Sequence, residues 1–431
     1  MPGKDSLYQD LRGEIAGMKV IDTHEHITSE RSRLQGLESP FNLGYAGCDL
    51  CGAGASDEEA RLAEEPSLDP MAAAQVFLKY YPHTRTTGYG RSMARTLRDV
   101  FGIDRLGEES FGELWEKIRT GIGPGSYSRW FRERYNIEAV ILDVDNDDEY
   151  PDFFHHSLRH ARYFIMVDNR DDLEELEWRS GCSIHSAAQL RDAMWSYLER
   201  LVESKKAVAL KNNLAYNRSL SFERTTAADA DRAFSLLFAR KHQHHAGSWL
   251  KTQHRSWEEM APLQNFLVHE SVRFAEEHGL AYQLHTGLHA GYTNEIPGSR
   301  PGLLVNLFRE YRKVRFVLFH GGFPYCREWG VLGKNFPNVY LDLCWMHIIS
   351  PATCVQMLDE WLDYVPNNKI LGFGGDLHLV ESIHGHLEQA RDNIARALAA
   401  KVARGDYDRK TAGEIAWNLL YRNPRKLYGL D

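Results

Sequence analysis

The chain is poor in the features that mark several large classes of protein. Its six cysteines, Cys48, Cys51, Cys182, Cys326, Cys344 and Cys354, are scattered through 431 residues, which excludes a disulfide framework. Cys48-x-x-Cys51 has no second CxxC and no βαβ pattern around it, so it reads neither as a structural zinc site nor as a redox motif. No apolar stretch is long enough to span a bilayer. The opening residues, MPGKDSLYQDLRGEIAGM, lack the apolar middle of a signal peptide, and a cytoplasmic location is the expectation. No dense basic run interrupts a chain of net charge −9, which argues against nucleic acid and membrane as partners. Internal repeats and low-complexity segments are absent. What remains has the balance of a folded globular chain, 43% hydrophobic and 26% charged. It suits a small-molecule substrate. A homo-oligomer stays open, with Trp130 and Phe131 as aromatic candidates for its interface.

Eight short apolar runs recur along the chain: 18–26, 136–144, 163–168, 206–213, 280–287, 315–322, 338–345 and 369–376. They are mostly apolar rather than alternating, as strands buried on both faces should be. Helical patterns separate most of them, including 186–206, 262–279, 303–313 and 350–365, the last with Ser350 as a candidate N-cap and Pro351 in the first turn. Strands alternating with helices predict an α/β fold, a (β/α)8 TIM barrel. An open doubly wound sheet would carry a Gly-rich loop after its first strand, and none is present. The expected organisation is one domain, 1–431. A helical insertion after strand 1, at 27–134, covers the catalytic mouth, and helices at the C-terminal end pack outside. A second insertion spans roughly 214–261.

In such a barrel the chemistry lies at the C-terminal ends of the strands. The residues that close the runs are polar: His24 and His26; Asp143 or Asp145; Asp168 and Asn169; Lys211 and Asn212; His285; His320; Trp345 to His347; and Asp376. His24 and His26 are two apart and point to the same side of a strand. Two imidazoles, His285 and the carboxylate of Asp376 make a mixed N/O shell for a divalent metal, zinc first, with manganese or iron as alternatives. Asp376 can also take a proton from a metal-activated water. Glu25 points the other way and is expected to be structural. His289, His347 and His378 lie just past run ends as candidate substrate contacts. His155, His156 and His160, and the run His242, His244 and His245, read as solvated faces.

The segments DTHEH, LHTG, FHGG and GGD, in this order and spacing, resemble the metal-dependent amidohydrolase superfamily. ALKNNLAY and PNVYLDLCW are similar to its amidohydrolase-related branch, and the long helical segment after strand 1 resembles that of uronate isomerase. That family's arginine-rich segment after the strand-eight Asp is absent, and DLHLVES stands there. The resemblance implies that His24, His26 and Asp376 bind metal, with His285 a ligand or near-ligand. It implies that His320 polarises the substrate, and that Lys211 either contacts substrate or bridges two metals as a carbamate. One ion is expected rather than two. Arg218, Arg327 and Tyr292 follow strands four, six and five and suit a carboxylate-bearing substrate, with loop stabilisation as the equal alternative. The expected reaction is hydrolysis of an amide, lactone or other acyl bond. The alternative is sugar-acid isomerisation or non-oxidative decarboxylation on the same metal site, and a non-catalytic barrel is the third reading.

Overall fold

The computed structural model describes residues 4–35, 40–64, 70–144, 148–239 and 257–430. Eight parallel strands run in sequence order, each paired with the next: β1 (Val20–Glu25), β2 (Ile137–Leu142), β3 (Phe154–Arg159), β4 (Ala207–Asn212), β5 (Ala281–Leu284), β6 (Arg315–Leu318), β7 (Val339–Asp342) and β8 (Ile370–Leu371). Main-chain bonds close β8 onto β1. Thr23 N donates to Phe373 O at 3.2 Å, Asp376 N to His24 O at 2.8 Å, and His26 N to Leu377 O at 2.9 Å. The expected (β/α)8 barrel is therefore the fold. The interior is filled by side chains, as in other small barrels. Ser157 Oγ donates to Gln283 Oε1 at 2.6 Å, and Gln283 Nε2 donates to Tyr428 Oη at 2.9 Å.

Seven of the eight apolar runs coincide with strands, and the third does not. Residues 163–168 lie in a tight helical turn, Ala161–Ile165, and the loop after it, while β3 is the more polar FHHSLR. Hydrophobicity misleads here because β3 turns Ser157 into the hydrogen-bonded barrel centre and ends in a charged residue at the mouth. Asp168 and Asn169 accordingly lie away from the mouth, where Asn169 caps the Arg170–Ser180 helix through Asp172 N. His156 and His160 are buried rather than solvated. Phe131 is buried against Phe153, Phe154 and Tyr135, so it offers no free interface. Ser350 Oγ donates to Thr353 Oγ1 and does not cap the backbone of the Pro351–Tyr364 helix. The tract His242, His244 and His245, most of the 214–261 segment beyond 239, and Asp145 fall outside the described residues.

Between β1 and β2 a series of helices, among them Pro70–Thr84, Gly88–Phe101 and Glu108–Thr120, builds an apolar cluster of its own around Phe77, Leu97, Phe111 and Leu114. Leu379, just past the β8 end, belongs to that cluster. The Gly88–Phe101 helix starts at the N-cap Thr87, whose side chain accepts from Gly90 N, and ends at Gly102 in the left-handed conformation. It docks on the segment after β7 so closely that a Cβ on Gly88 would sit 1.9 Å from Ile348 O. Because that obstacle is backbone, Gly88→Ala is expected to cost about 2–3 kcal/mol of stability, read as a lowered urea midpoint at unchanged slope.

Candidate metal centre at the barrel mouth

The ends of β1, β2, β3 and β8 bring together His24, His26, Asp143, Arg159 and Asp376. Of these, the sequence named all but Arg159, which was hidden by the misplaced third strand. Asp143 and Arg159 form a two-pronged pair, Nε to Oδ1 at 3.0 Å and Nη2 to Oδ2 at 2.9 Å. Asp143 is buried, which by itself raises a carboxyl pKa. Arg159, His26 and Lys211 outweigh that and hold it below its ordinary value.

His26 is oriented through its Nδ1, 2.8 Å from Asp143 O. Arg159 Nη2 also lies 3.1 Å from that nitrogen, and a neutral ring that directs its Nδ1–H at the carbonyl carries its lone pair on Nε2. That lone pair faces Asp376 Oδ1 at 3.0 Å, and His24 Nε2 lies 3.4 Å from the same oxygen. Burial pushes the His24 pKa well down, with Lys211 and His26 adding to the effect, so His24 is neutral. Burial would raise Asp376, but its contacts with His26, His320 and Lys211 outweigh that and bring it down to about 2, so it is ionised. Two nitrogen donors and a carboxylate thus converge on one point, their ligand atoms within 4.8 Å of one another. Lone pair faces carboxylate, an arrangement that a cation between them stabilises. The donor set fits a zinc- or manganese-type divalent ion, and the Asp143 carbonyl supplies the orienting outer contact such ligands need.

On the far side of the mouth, His285 and His320 face each other. His285 Nε2 lies 2.8 Å from Leu288 O, and His320 Nδ1 lies 3.1 Å from Cys344 O. Each contact calls for an N–H on that nitrogen. Neutral rings then present two lone pairs to each other, His285 Nδ1 against His320 Nε2, at 2.9 Å. One extra positive charge, a proton or a metal cation, resolves this. Burial disfavours the proton, driving His285 well down and His320 to about 3. His285 thus meets His320 directly, and the group of ligand atoms gathered at His24, His26 and Asp376 does not include it. Lys211, its pKa lowered by burial, has Nζ 3.7 Å above the Phe319 ring and 3.5 Å from His24 Nε2.

Aromatic residues roof this centre, and of these the sequence pointed only to Trp345, as part of the segment that closes the seventh run. Tyr45, from the helical segment, donates its hydroxyl to Asp376 O and packs 5.0 Å from Trp345. Trp345 is fully buried beside His320 and Tyr89, and its indole Nε1 has no hydrogen-bond partner among the described residues. His320, Trp345 and Asp376 all have positive φ, at 68°, 64° and 57°. Such strain in non-glycine residues, about 1–3 kcal/mol each, concentrates at functional sites. Glu25 accepts from Leu377 N at 2.8 Å and pins the loop after β8, the structural position expected of it. His378 stacks on His26 at 5.3 Å and faces solvent.

The expected substrate contacts divide. His289 lies beside Tyr216 and His285 at the mouth, lining a cavity of about 520 Å³. Arg218 borders the same cavity, but its guanidinium is committed to Ser219 O, Ser221 O, Gln264 and Asn265 and stacks on Trp257. It stabilises its loop. Tyr292 donates to Asp57 and ties the loop after β5 to the helical segment. Arg327 is on an outer helix, exposed and paired with Glu360. His347 is fully buried behind the mouth, bonded to Gly372 O and Asn393. Position just after a strand does not say which way a side chain turns.

Burial lowers the pKa of His347 to about 4. The unfolded chain takes up the proton near pH 6.5, so the stabilisation is complete above that pH and is lost as pH falls toward 4. His347→Leu is expected to remove about 2 kcal/mol of the stability lost between pH 7 and pH 5, measured by urea unfolding at both.

The sequence model of the amidohydrolase family matches residues 207–430, and the chain belongs to that family. Protein fluG of Emericella nidulans is 30% identical over 230 residues. The match covers 52% of this chain, and the chain spans only 26% of that protein. Uronate isomerase of Xanthomonas axonopodis pv. citri is 21% identical over 474 aligned positions, covering 100% of this chain and 96% of the relative. The crystal structure of glucuronate isomerase from Caulobacter crescentus superposes with a TM-score of 0.77 at 18% identity, covering 100% of this chain and 95% of that one. At that identity the likeness speaks for the fold.

Proposed function

We propose that the chain is a metal-dependent isomerase of small sugar acids, moving a proton between neighbouring carbons. The observation that carries this is the end-to-end match to uronate isomerase, which includes the helical segment between β1 and β2. This reading displaces acyl hydrolysis, and it takes residues 1–431 as one barrel domain with 27–134 as its cover.

His24, His26 and Asp376 would hold a divalent ion, which when bound would supply the charge that acidifies and polarises substrate oxygens. Arg159, with a fifth of its side chain exposed at the mouth, faces the substrate carboxylate while Asp143 fixes its orientation. Trp345 donates its unpartnered Nε1–H to a substrate hydroxyl. His320 Nε2 and His285 Nδ1 hold the proton in transit, and Lys211 adds positive charge beside His24. The helical cover, with Tyr45 packed on Trp345 and Tyr89 stacked on it, excludes water, which favours proton transfer over attack by water. DLHLVES in place of an arginine-rich segment leaves Arg159 as the cation for the carboxylate.

Hydrolysis is kept as a second reading because the amidohydrolase family match spans Lys211, His285, His320 and Asp376 together. Mass spectrometry of the products separates the two. Isomerisation leaves a hexuronate's mass unchanged, and hydrolysis adds one water to an acyl substrate. Water addition with hexuronates left untouched overturns the isomerase.

A further inference from the structure

Asp376 uses its two oxygens differently. Oδ1 faces His24 and His26, at 3.4 and 3.0 Å, while Oδ2 faces His320 Nδ1 at 3.9 Å. A second set of donors gathers on the Oδ2 side. His320, Cys344 and Asp376 are all buried, and their ligand atoms lie within 4.8 Å of one another. Cys344 follows the end of β7, where its N–H donates to Asp342 Oδ1 at 2.9 Å. Its sulfur lies close against the β8 end, 3.0 Å from where a Cβ on Gly374 would be. The thiol is thereby held two residues from the Asp376 backbone. A buried cysteine is often only a small apolar filler, which Cys326 fits, while Cys354 meets His347 Nδ1, at 3.3 Å, with no carboxylate among the described residues in reach of a shared group. Among the described residues, Cys344 alone of the cysteines shares such a group with both a histidine and a carboxylate.

We infer that Cys344 and His320 form a second, softer cation position, with Asp376 bridging it to the ion at His24 and His26. The inference rests on the metal reading of that first group. Thiolate and imidazole select zinc-type ions over magnesium or manganese. Binding replaces the S–H bond with an S–metal bond and releases that proton to solvent, and at His320 the ion takes the place of the Nδ1–H contact to Cys344 O, the ring proton passing to Nε2, where His285 Nδ1 accepts it. The position differs in kind from the first, so the two ions should differ in affinity and spectrum.

Cobalt(II) titration of metal-free protein tests this, in a background carrying Cys48→Ser, Cys51→Ser and Cys182→Ser. The first equivalent is expected to give visible d–d absorption alone. The second should add a near-ultraviolet thiolate-to-cobalt charge-transfer band, lost in Cys344→Ser. X-ray absorption of the two-zinc form in the same background needs no change at Cys344 and should show sulfur at about 2.3 Å. d–d absorption with no charge-transfer band at two equivalents, and no sulfur shell, overturns the second position and leaves the first standing. A charge-transfer band that persists in Cys344→Ser also overturns it. Absence of any cobalt absorption overturns both.

Discussion

Asp376→Asn is expected to lower turnover by about 10³-fold or more while the fold persists. The carboxylate faces His24 and His26 through one oxygen and His320 through the other, and its low pKa keeps it charged at neutral pH. Asparagine keeps the shape but not the charge, so the nitrogen lone pairs of His24 and His26 lose their anionic partner for a cation. The backbone tolerates the change, since Asn adopts positive φ more readily than most residues and Asp376 has φ 57°. The Tyr45 contact to the Asp376 carbonyl is untouched. Steady-state kinetics with a thermal melt should therefore show lost turnover and reduced metal content at a nearly unchanged midpoint. Turnover like that of the unmodified chain would remove Asp376 from the mechanism.

Arg159→Met is expected to cost about 3–5 kcal/mol of stability, because it leaves the buried Asp143 carboxylate without its partner. Adding Asp143→Asn should restore much of that loss, since the penalty comes from the orphaned charge. Arg159→Lys keeps the charge but not the two-pronged geometry, so it should fall between the two. The same change removes the cation proposed to meet the substrate carboxylate, and kcat/KM for an acidic substrate should fall by about 10²-fold. Urea unfolding of the single and double variants separates the stability effect from the kinetic one. Full stability in Arg159→Met would contradict the reading of this pair.

The barrel was legible because seven strands are short, apolar and bounded by turn residues, the pattern that burial on both faces imposes. His24, His26, His320 and Asp376 were legible for the same reason, since each closes a run. Arg159 was not, because β3 spends its side chains on polar contacts inside the barrel and hides among histidines. Arg218, Arg327 and His347 follow strands as expected, yet turn toward a loop, the outer surface and the core. Only the packing of neighbouring elements decides such directions. Tyr45 carried no signal, and Trp345 stood out only by closing the seventh run, because nothing in a sequence marks a tryptophan whose N–H will lack a partner. Positive φ at His320, Trp345 and Asp376 was equally hidden, since no glycine marks it. The pairing of His285 with His320 rather than with His24 depends on the Leu288 and Cys344 carbonyls, a contact no spacing rule expresses.

The most direct test is nuclear magnetic resonance of the zinc- or manganese-loaded protein with a hexuronate in deuterium oxide. The expected product is an isomeric keto-sugar acid carrying solvent deuterium at a carbon next to the new carbonyl, with no such product from Asp376→Asn. A hexuronate that stays unchanged while an amide or lactone gains water would contradict it.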